Sequence, residues 1–442
     1  MTERSVALVV LDTLRKDRFD EYFDWLPGRR FENAYTTANW TAPAHASLFT
    51  GQYGTEVGVT AKSRTLACGQ PVLPEQLRAA GYETIGLSAN PNVSSSNRFD
   101  RGFDEFVNPT YLKNPGRDDL VDWEQFVSKT DSTGPRLYLE GLWETLRGEY
   151  AAVPSLRYGL GIFLGSDQLR KTVPDDGATT VRERVTEMRP DGDTFLFVNL
   201  MEAHTPYDPP EPYNTLGEPV QVTLQDTFTG VDDPDRVRTG YDDAARYLAD
   251  IYEEIFAQLE EKFDYVVTLS DHGEMLGEEG LWNHTYGLYK PVTHVPLVVS
   301  GPGLSGDCSR PVSLLDVHRT ILEIAGVDAE SRGHDLREET ERRDYLSQYR
   351  GLIEVAIDRL REVGVSDEEI ESYDEPFDAL VGGEGEYAID TPDELRTDGV
   401  SAAEARRRLT EIRDTIVPLE PGEDDEELDD DVMSQLEDLG YA

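Results

Sequence analysis

Cysteine is almost missing from this chain: Cys68 and Cys308 are its two thiols in 442 residues. Two cysteines give neither a disulfide framework nor a Cys-rich metal site. Lysine is also scarce, supplying only seven of the 41 basic Lys and Arg residues. No basic stripe exists to neutralise phosphates, which argues against a nucleic-acid partner. Long apolar runs are missing as well. The first, Val6–Leu11, is bounded by polar and charged residues and is too short for a signal h-region. The most apolar long stretch, 151–165, is interrupted by Arg157. Nothing approaches the roughly 20 apolar residues that cross a bilayer, so no integral membrane segment is expected and the default is cytoplasmic.

What is abundant is acid. The chain carries 88 Asp and Glu, for a net charge of −47. Such a surface stays hydrated at a cost in self-repulsion that salt screens. Acid-rich, lysine-poor composition is expected of cytosolic proteins from high-salt organisms such as halophilic archaea; on this reading it reports the solvent, not the partner. With 38% hydrophobic residues, most of the chain is expected to be globular. The C-terminal stretch differs. It holds eleven acidic residues between Glu420 and Asp438 without Lys or Arg, and reads as a solvated tail.

The rhythm of the chain is α/β. Residues 5–11, 83–88, 194–200, 263–269 and 295–300 read as short strands, the apolar ones buried on both faces of a parallel sheet. Between them lie helical patterns, among them 73–81, 119–147, 176–188, 239–261 and 313–325. Further helices are expected near 350–363 and 401–414. Ligands of open α/β sheets gather at the carboxyl ends of strands. Three such ends here carry Asp12, His204 and the pair Asp271-His272.

A fourth group comes from Trp40-Thr41-Ala42-Pro43, read as a loop entering a helix with Thr41 at the N-cap and Pro43 in the first turn. Free N–H groups at a helix start favour an anion, and a hydroxyl held there can attack a phosphate or sulfate ester. Asp12, Asp271, His272 and the Thr41 oxygen form a plausible O/O/O/N set for a divalent metal. That metal would activate the Thr41 hydroxyl. His284, in a Gly-flanked loop, could donate to a leaving group. His294, His318 and His334 lack such company and read as structural or surface residues.

The ordered motifs LVVLDTLRKD, NWTAPAHASLFTGQYGTEVGV, LPEQLRAAGYETIGLSANP, RGFDEF, FVNLMEAHTPYDPPEPY, TLSDHGEMLGEEGLWNH, HVPLVVSGPG and SLLDVHRTILEIAG resemble the sulfatase family of the alkaline phosphatase superfamily. The resemblance spans roughly residues 4–335. It implies a doubly wound α/β/α sandwich over residues 1–335, a smaller C-terminal subdomain over 336–415 and the acidic tail over 416–442. By the same resemblance Asp12, Asp271 and His272 hold the metal and Thr41 is the nucleophile. His204 and His284 contact the ester and its leaving group. His45, Lys62 and Asn90 complete the candidate set as substrate-binding residues.

The departures are chemical. Where well-known sulfatases have Cys-x-Pro-x-Arg, with the Cys oxidised to formylglycine, this chain has Thr41-Ala42-Pro43-Ala44-His45, so no formylglycine is expected. One carboxylate fewer and one imidazole more shifts the metal preference toward Mn²⁺ or Zn²⁺, within a choice that includes Mg²⁺ and Ca²⁺. The implied activity is metal-dependent hydrolysis of a small-molecule or glycan phosphate or sulfate ester through a covalent Thr41 intermediate. The alternatives are a phospho-group transferase acting on glycan or lipid head groups, and a catalytically silent binding or scaffold homologue.

Overall fold

The computed structural model describes residues 4–113, 175–190, 192–338 and 343–419, with scattered positions between 120 and 159. Most of the 119–147 helical pattern and of the stretch 151–165, and residues 420–442 of the tail, lie outside the described residues.

An eight-stranded sheet forms the centre. Its strands are β1 (Val6–Leu11), β2 (Arg29–Tyr35), β3 (Glu83–Ser88), β4 (Glu105–Val107), β5 (Thr194–Leu200) and β6 (Tyr265–Leu269). After a small hairpin, β7 (Met275–Leu276) with β8 (Trp282–Asn283), come β9 (Leu297–Ser300) and β10 (Gly306–Ser313). Spatial order is β10-β2-β9-β6-β1-β5-β3-β4. β1 runs parallel to β5 and β6, its two neighbours. All of its side chains are buried, as its unbroken apolar sequence requires. Each large aliphatic side chain buried this way contributes roughly 1.5–3 kcal/mol.

Two groups of helices cover the sheet. Lys16–Tyr22, Ala178–Glu187 and Pro234–Lys262 pack together, as do Thr41–Thr50, Leu73–Ala79 and Leu314–Ala325. The 29-residue helix Pro234–Lys262 starts at Asp233, whose carboxylate accepts from the Arg236 N–H, with Pro234 at the first turn. Its apolar stripe of Tyr247, Ile251, Ile255 and Leu259 is buried.

The structure adds four things to the expected rhythm. β9 is antiparallel to both β2 and β6, so the sheet is mixed. β2 and β10, paired in parallel at one edge, were not expected from their polar, half-exposed sequences. A second, four-stranded antiparallel sheet joins β11 (Tyr345–Tyr349), β12 (Phe377–Val381), β13 (Tyr387–Asp390) and β14 (Leu395–Asp398). The helix Ala402–Arg413 packs on it. This sheet is tied to the loop before the Thr41 helix by the Gln348 N–H, which donates to the Thr37 carbonyl at 2.8 Å. Finally, the segment expected as one helix near 350–363 is Glu354–Glu362, followed by a second helix, Asp367–Asp374.

Candidate active site

β1, β5, β6 and β3 all deliver polar residues at their carboxyl ends. Asp12 follows β1, Asn90 lies just past β3, His204 follows β5, and Asp271-His272 follow β6. The Thr41–Thr50 helix, every residue of it buried, brings Thr41 to the same edge.

Here the expected cap is corrected. Trp40, with extended backbone, is the N-cap, and Thr41 is the first helical residue. The physical consequence is large: the Thr41 hydroxyl is not spent on capping. Its oxygen lies 3.2 Å from His272 Nε2 and accepts from Asn90 Nδ2 at 3.4 Å. The helix closes at Gly51, in the left-handed region at φ +66°, where a Cβ would collide with His318 Nδ1 and Ser331 Oγ. His318 is thereby explained as a buried partner of Ser331.

Ligand-type atoms of Asp12, Asp271 and His272 all lie within 4.8 Å of one another, and all three side chains are buried. Several observations fit a cation here. Asp271 Oδ2 is buried without a hydrogen-bond partner among the described residues. The Asp271 carboxyl is pushed well above its usual range by burial and then by the Asp12 charge. His272 Nδ1 faces the Gly273 carbonyl at 3.0 Å, which assigns the proton to Nδ1 and leaves the Nε2 lone pair for the cluster. A set of two carboxylates, one imidazole and one hydroxyl suits a divalent transition ion or Mg²⁺.

The ligand-type residues are held from behind. Asp12 Oδ2 accepts from Asn90 Nδ2 at 2.7 Å and from Asn199 Nδ2 at 3.0 Å, while Oδ1 accepts from Thr13 Oγ1 at 2.9 Å. Asn90 is fixed in this orientation because its own carbonyl accepts from the Asn92 N–H. Thr13 sits at φ +64°, a costly conformation for a β-branched residue. Tyr241 stabilises it there by donating to the Thr13 carbonyl at 2.9 Å.

The remaining candidates divide. His204, His272 and His284 pack together, with ring centroids 5.3 Å apart for His204–His284 and 4.3 Å for His272–His284. Burial keeps the His284 imidazole well below its ordinary pKa, helped by its two histidine neighbours. His45 is fully buried; its Nδ1 donates to the Thr41 carbonyl at 3.0 Å and its Nε2 accepts from Asn199 at 3.3 Å. Burial lowers its pKa to about 4, so it is neutral. His45 therefore braces the Thr41 turn from within the protein. The Lys62 ammonium is engaged elsewhere: it pairs with Asp374 at 2.6 Å and donates to the Leu352 carbonyl at 2.8 Å.

Two residues that were not anticipated belong to this site. Asn199 interrupts the apolar run that follows Thr194 in β5, and that interruption was the signal. Glu274 lies three positions past Asp271. It is buried, accepts from Tyr207 Oη at 3.2 Å, and faces His284 Nδ1 at 3.2 Å. His284 follows Asn283, another residue of left-handed backbone (φ +64°), whose side-chain oxygen accepts from the His284 N–H.

Comparison with known proteins places this arrangement in context. A family model described as Sulfatase matches residues 21–327. The choline-sulfatase of Rhizobium meliloti (strain 1021) is 25% identical over 347 residues, covering 68% of this chain and 61% of that protein. The match thus spans less than two thirds of that relative's length. Among solved structures, the phosphonate monoester hydrolase SpPMH from Silicibacter pomeroyi superposes with a TM-score of 0.63 at 16% identity, covering 94% of this chain and 96% of that one. The phosphonate monoester hydrolase of Agrobacterium radiobacter gives 0.58 at 17% identity, covering 92% and 90%. These two likenesses establish a shared fold.

Proposed function

The chain belongs to the sulfatase family, and from that membership we propose that it is a metal-dependent hydrolase of phosphoric or sulfuric esters with Thr41 as its nucleophile. The observation that carries this reading is the Thr41 hydroxyl, which lies at the first turn of a buried helix, 3.2 Å from His272 Nε2 and unused as a cap. Asp12, Asp271, His272 and Thr41 Oγ1 would hold one divalent cation, Mn²⁺ or Zn²⁺ before Mg²⁺ or Ca²⁺. When bound, it would supply Lewis acidity, lowering the hydroxyl pKa and neutralising charge on the transferred group.

The chain's own residues supply the rest. By helix geometry the N–H groups of Thr41 and Ala42 have no intrahelical partner, and Pro43 has none to offer, so the helix start favours the ester's oxyanions. Asn90 fixes both Asp12 and the nucleophile by donating to each. Thr41 Oγ1 forms a bond to the central phosphorus or sulfur as the bond to the alcohol oxygen breaks. The Thr41 proton passes to the departing alcohol through the neutral imidazole of His284 or His204, which takes it up and gives it on, so the imidazole ends as it began. Water then attacks the central atom, the bond to Thr41 breaks, and the hydroxyl regains its proton.

A plain threonine ester can leave only by this second attack at the central atom. Phosphorus accepts such attack more readily than sulfur, and phosphate esters are the favoured substrates. The test is a panel of phosphate monoesters, phosphate diesters and sulfate esters, assayed in molar salt with each divalent metal. Turnover that a chelator abolishes supports the reading. Absence of turnover together with absence of stoichiometric metal overturns it.

A further inference from the structure

A cavity of about 150 Å³ lies where the four-stranded sheet and its helix meet the rest of the chain. Tyr53, Leu315 and Arg332 line it from one side, and Arg343, Tyr345 and Ile412 from the other. None of these residues belongs to the Thr41 cluster. A volume of this order holds a benzene ring. The wall combines apolar surface with four charged side chains, Arg332, Arg343, Asp344 and Glu411. The charges decide what enters.

Three of the four charges are already engaged. Arg332 grips Glu56 through Nε at 2.7 Å and Nη2 at 2.6 Å, and its Nη1 donates to Thr415 Oγ1 at 3.0 Å. Asp344 is paired through both oxygens with Arg408, and Glu411 is paired with Arg407. Arg343 differs. Its Nη1 donates to two neutral acceptors, the Arg332 carbonyl at 2.6 Å and His334 Nε2 at 2.8 Å, and no carboxylate pairs with it among the described residues. Beside it Tyr53 is only 2% exposed. The Tyr53 Oη accepts from the Leu346 N–H at 3.1 Å, and its own proton has no acceptor among the described residues. Burial pushes this hydroxyl up to about 12, so the proton stays on, and the Arg343 charge acts on it and on the Tyr345 hydroxyl. A guanidinium and a buried phenol thus line one cavity, each with a donor unused.

We propose that this cavity is an accessory binding site for a small organic carboxylate with a compact apolar body, the carboxylate on Arg343 and Tyr53 and the body against Leu315 and Ile412. A carboxylate matches the planar guanidinium fork and accepts the phenolic proton. The apolar body is stabilised by leaving water. An anion of higher charge would be repelled by Asp344 and Glu411 in the same wall, which favours a monoanion. The inference stands apart from the hydrolase reading, since neither the site nor its test involves turnover.

The experiment is a saturation-transfer NMR titration of the full chain with benzoate and with benzamide, a neutral body of the same shape, at constant ionic strength. Benzoate is expected to bind about tenfold more tightly than benzamide, or better, as a charge-assisted hydrogen bond provides. Arg343→Gln is expected to erase that difference, and Arg343→Lys, which keeps the charge without the planar fork, to retain part of it. Ile412→Trp fills the cavity while leaving Arg343 in place, and should abolish benzoate binding. Arg361→Gln removes an exposed positive charge elsewhere and should leave binding within about twofold. Circular dichroism of each variant shows that it is folded. Absence of benzoate binding, equal affinity for benzoate and benzamide, or an Arg343→Gln protein that still prefers benzoate overturns the inference. So does an Ile412→Trp protein that still binds benzoate, or a loss in Arg361→Gln equal to that in Arg343→Gln.

Discussion

The Glu274 carboxylate and the His284 imidazole meet at 3.2 Å with neither side chain exposed. Tyr207 Oη, donating to the other carboxylate oxygen at 3.2 Å, fixes the acid against rotation. A carboxylate holding one ring nitrogen selects the tautomer and the direction of the other. Glu274→Gln is accordingly expected to slow cleavage of alkyl esters by at least ~10-fold, since general acid catalysis contributes ~10²–10⁴. Esters of p-nitrophenol, whose leaving group needs little protonation, should be affected much less. A uniform loss across both ester types would show that Glu274 serves stability alone.

Metal removal should be visible without any substrate. A ligand binding only the folded state stabilises by roughly 2.7 kcal/mol at 100 times its Kd. Adding a chelator is expected to lower the thermal midpoint of the wild-type protein, and Asp271→Asn should abolish that response. Metal content measured by elemental mass spectrometry should fall from about one ion per chain to none in the variant. A midpoint indifferent to the chelator in both proteins would remove the cation from the account.

Much of this site was legible in the sequence, for a physical reason. β1, β5 and β6 are buried on both faces, so they read as unbroken apolar runs and their ends could be placed. Asp12, His204, Asp271 and His272 follow those ends directly. β2 and β10 lie at the edge and β11–β14 form a separate sheet; Arg29-Arg30 or Glu394-to-Asp398 stretches carry no apolar run to find. The cap was misread by one residue because Thr and Pro fit either register, and only the backbone angles of Trp40 decide it. Lys62 was a candidate for the site, but its partner Asp374 is 312 residues away and invisible locally.

Salt should stabilise the fold. With 88 acidic residues against 41 basic ones, self-repulsion outweighs the attraction of the exposed ion pairs, such as Arg407–Glu404, that salt also weakens. Raising KCl from ~0.15 M to ~1 M shortens the Debye length from ~8 to ~3 Å. The urea midpoint is expected to rise over that range; a constant or falling midpoint would refute the reading of the charge.

Glu202 gives a pH dependence. Burial, then the charges of Asp175 and Asp176, raise its pKa from 4.5 to about 8 in the folded chain. Between those values the unfolded chain loses a proton that the folded chain keeps, so stability falls as pH rises from about 4.5 to about 8 and is level above. At ~1.4 kcal/mol per pKa unit the full loss is of the order of several kcal/mol. Glu202→Gln should flatten this part of the curve, seen as a wild-type-minus-variant difference in urea midpoints at pH 5, 6, 7 and 8. Parallel curves would place the Glu202 proton elsewhere.

The central claim is that Thr41 carries the transferred group. Its most direct test is acid-quenched reaction with a phosphate ester, followed by peptide mass spectrometry. The account predicts a phosphoryl increment on the peptide containing Thr41, absent from Thr41→Ala, which should also lose turnover by at least ~10³-fold. An unmodified Thr41 peptide under turnover, or a Thr41→Ala protein that still cleaves the ester, would contradict it.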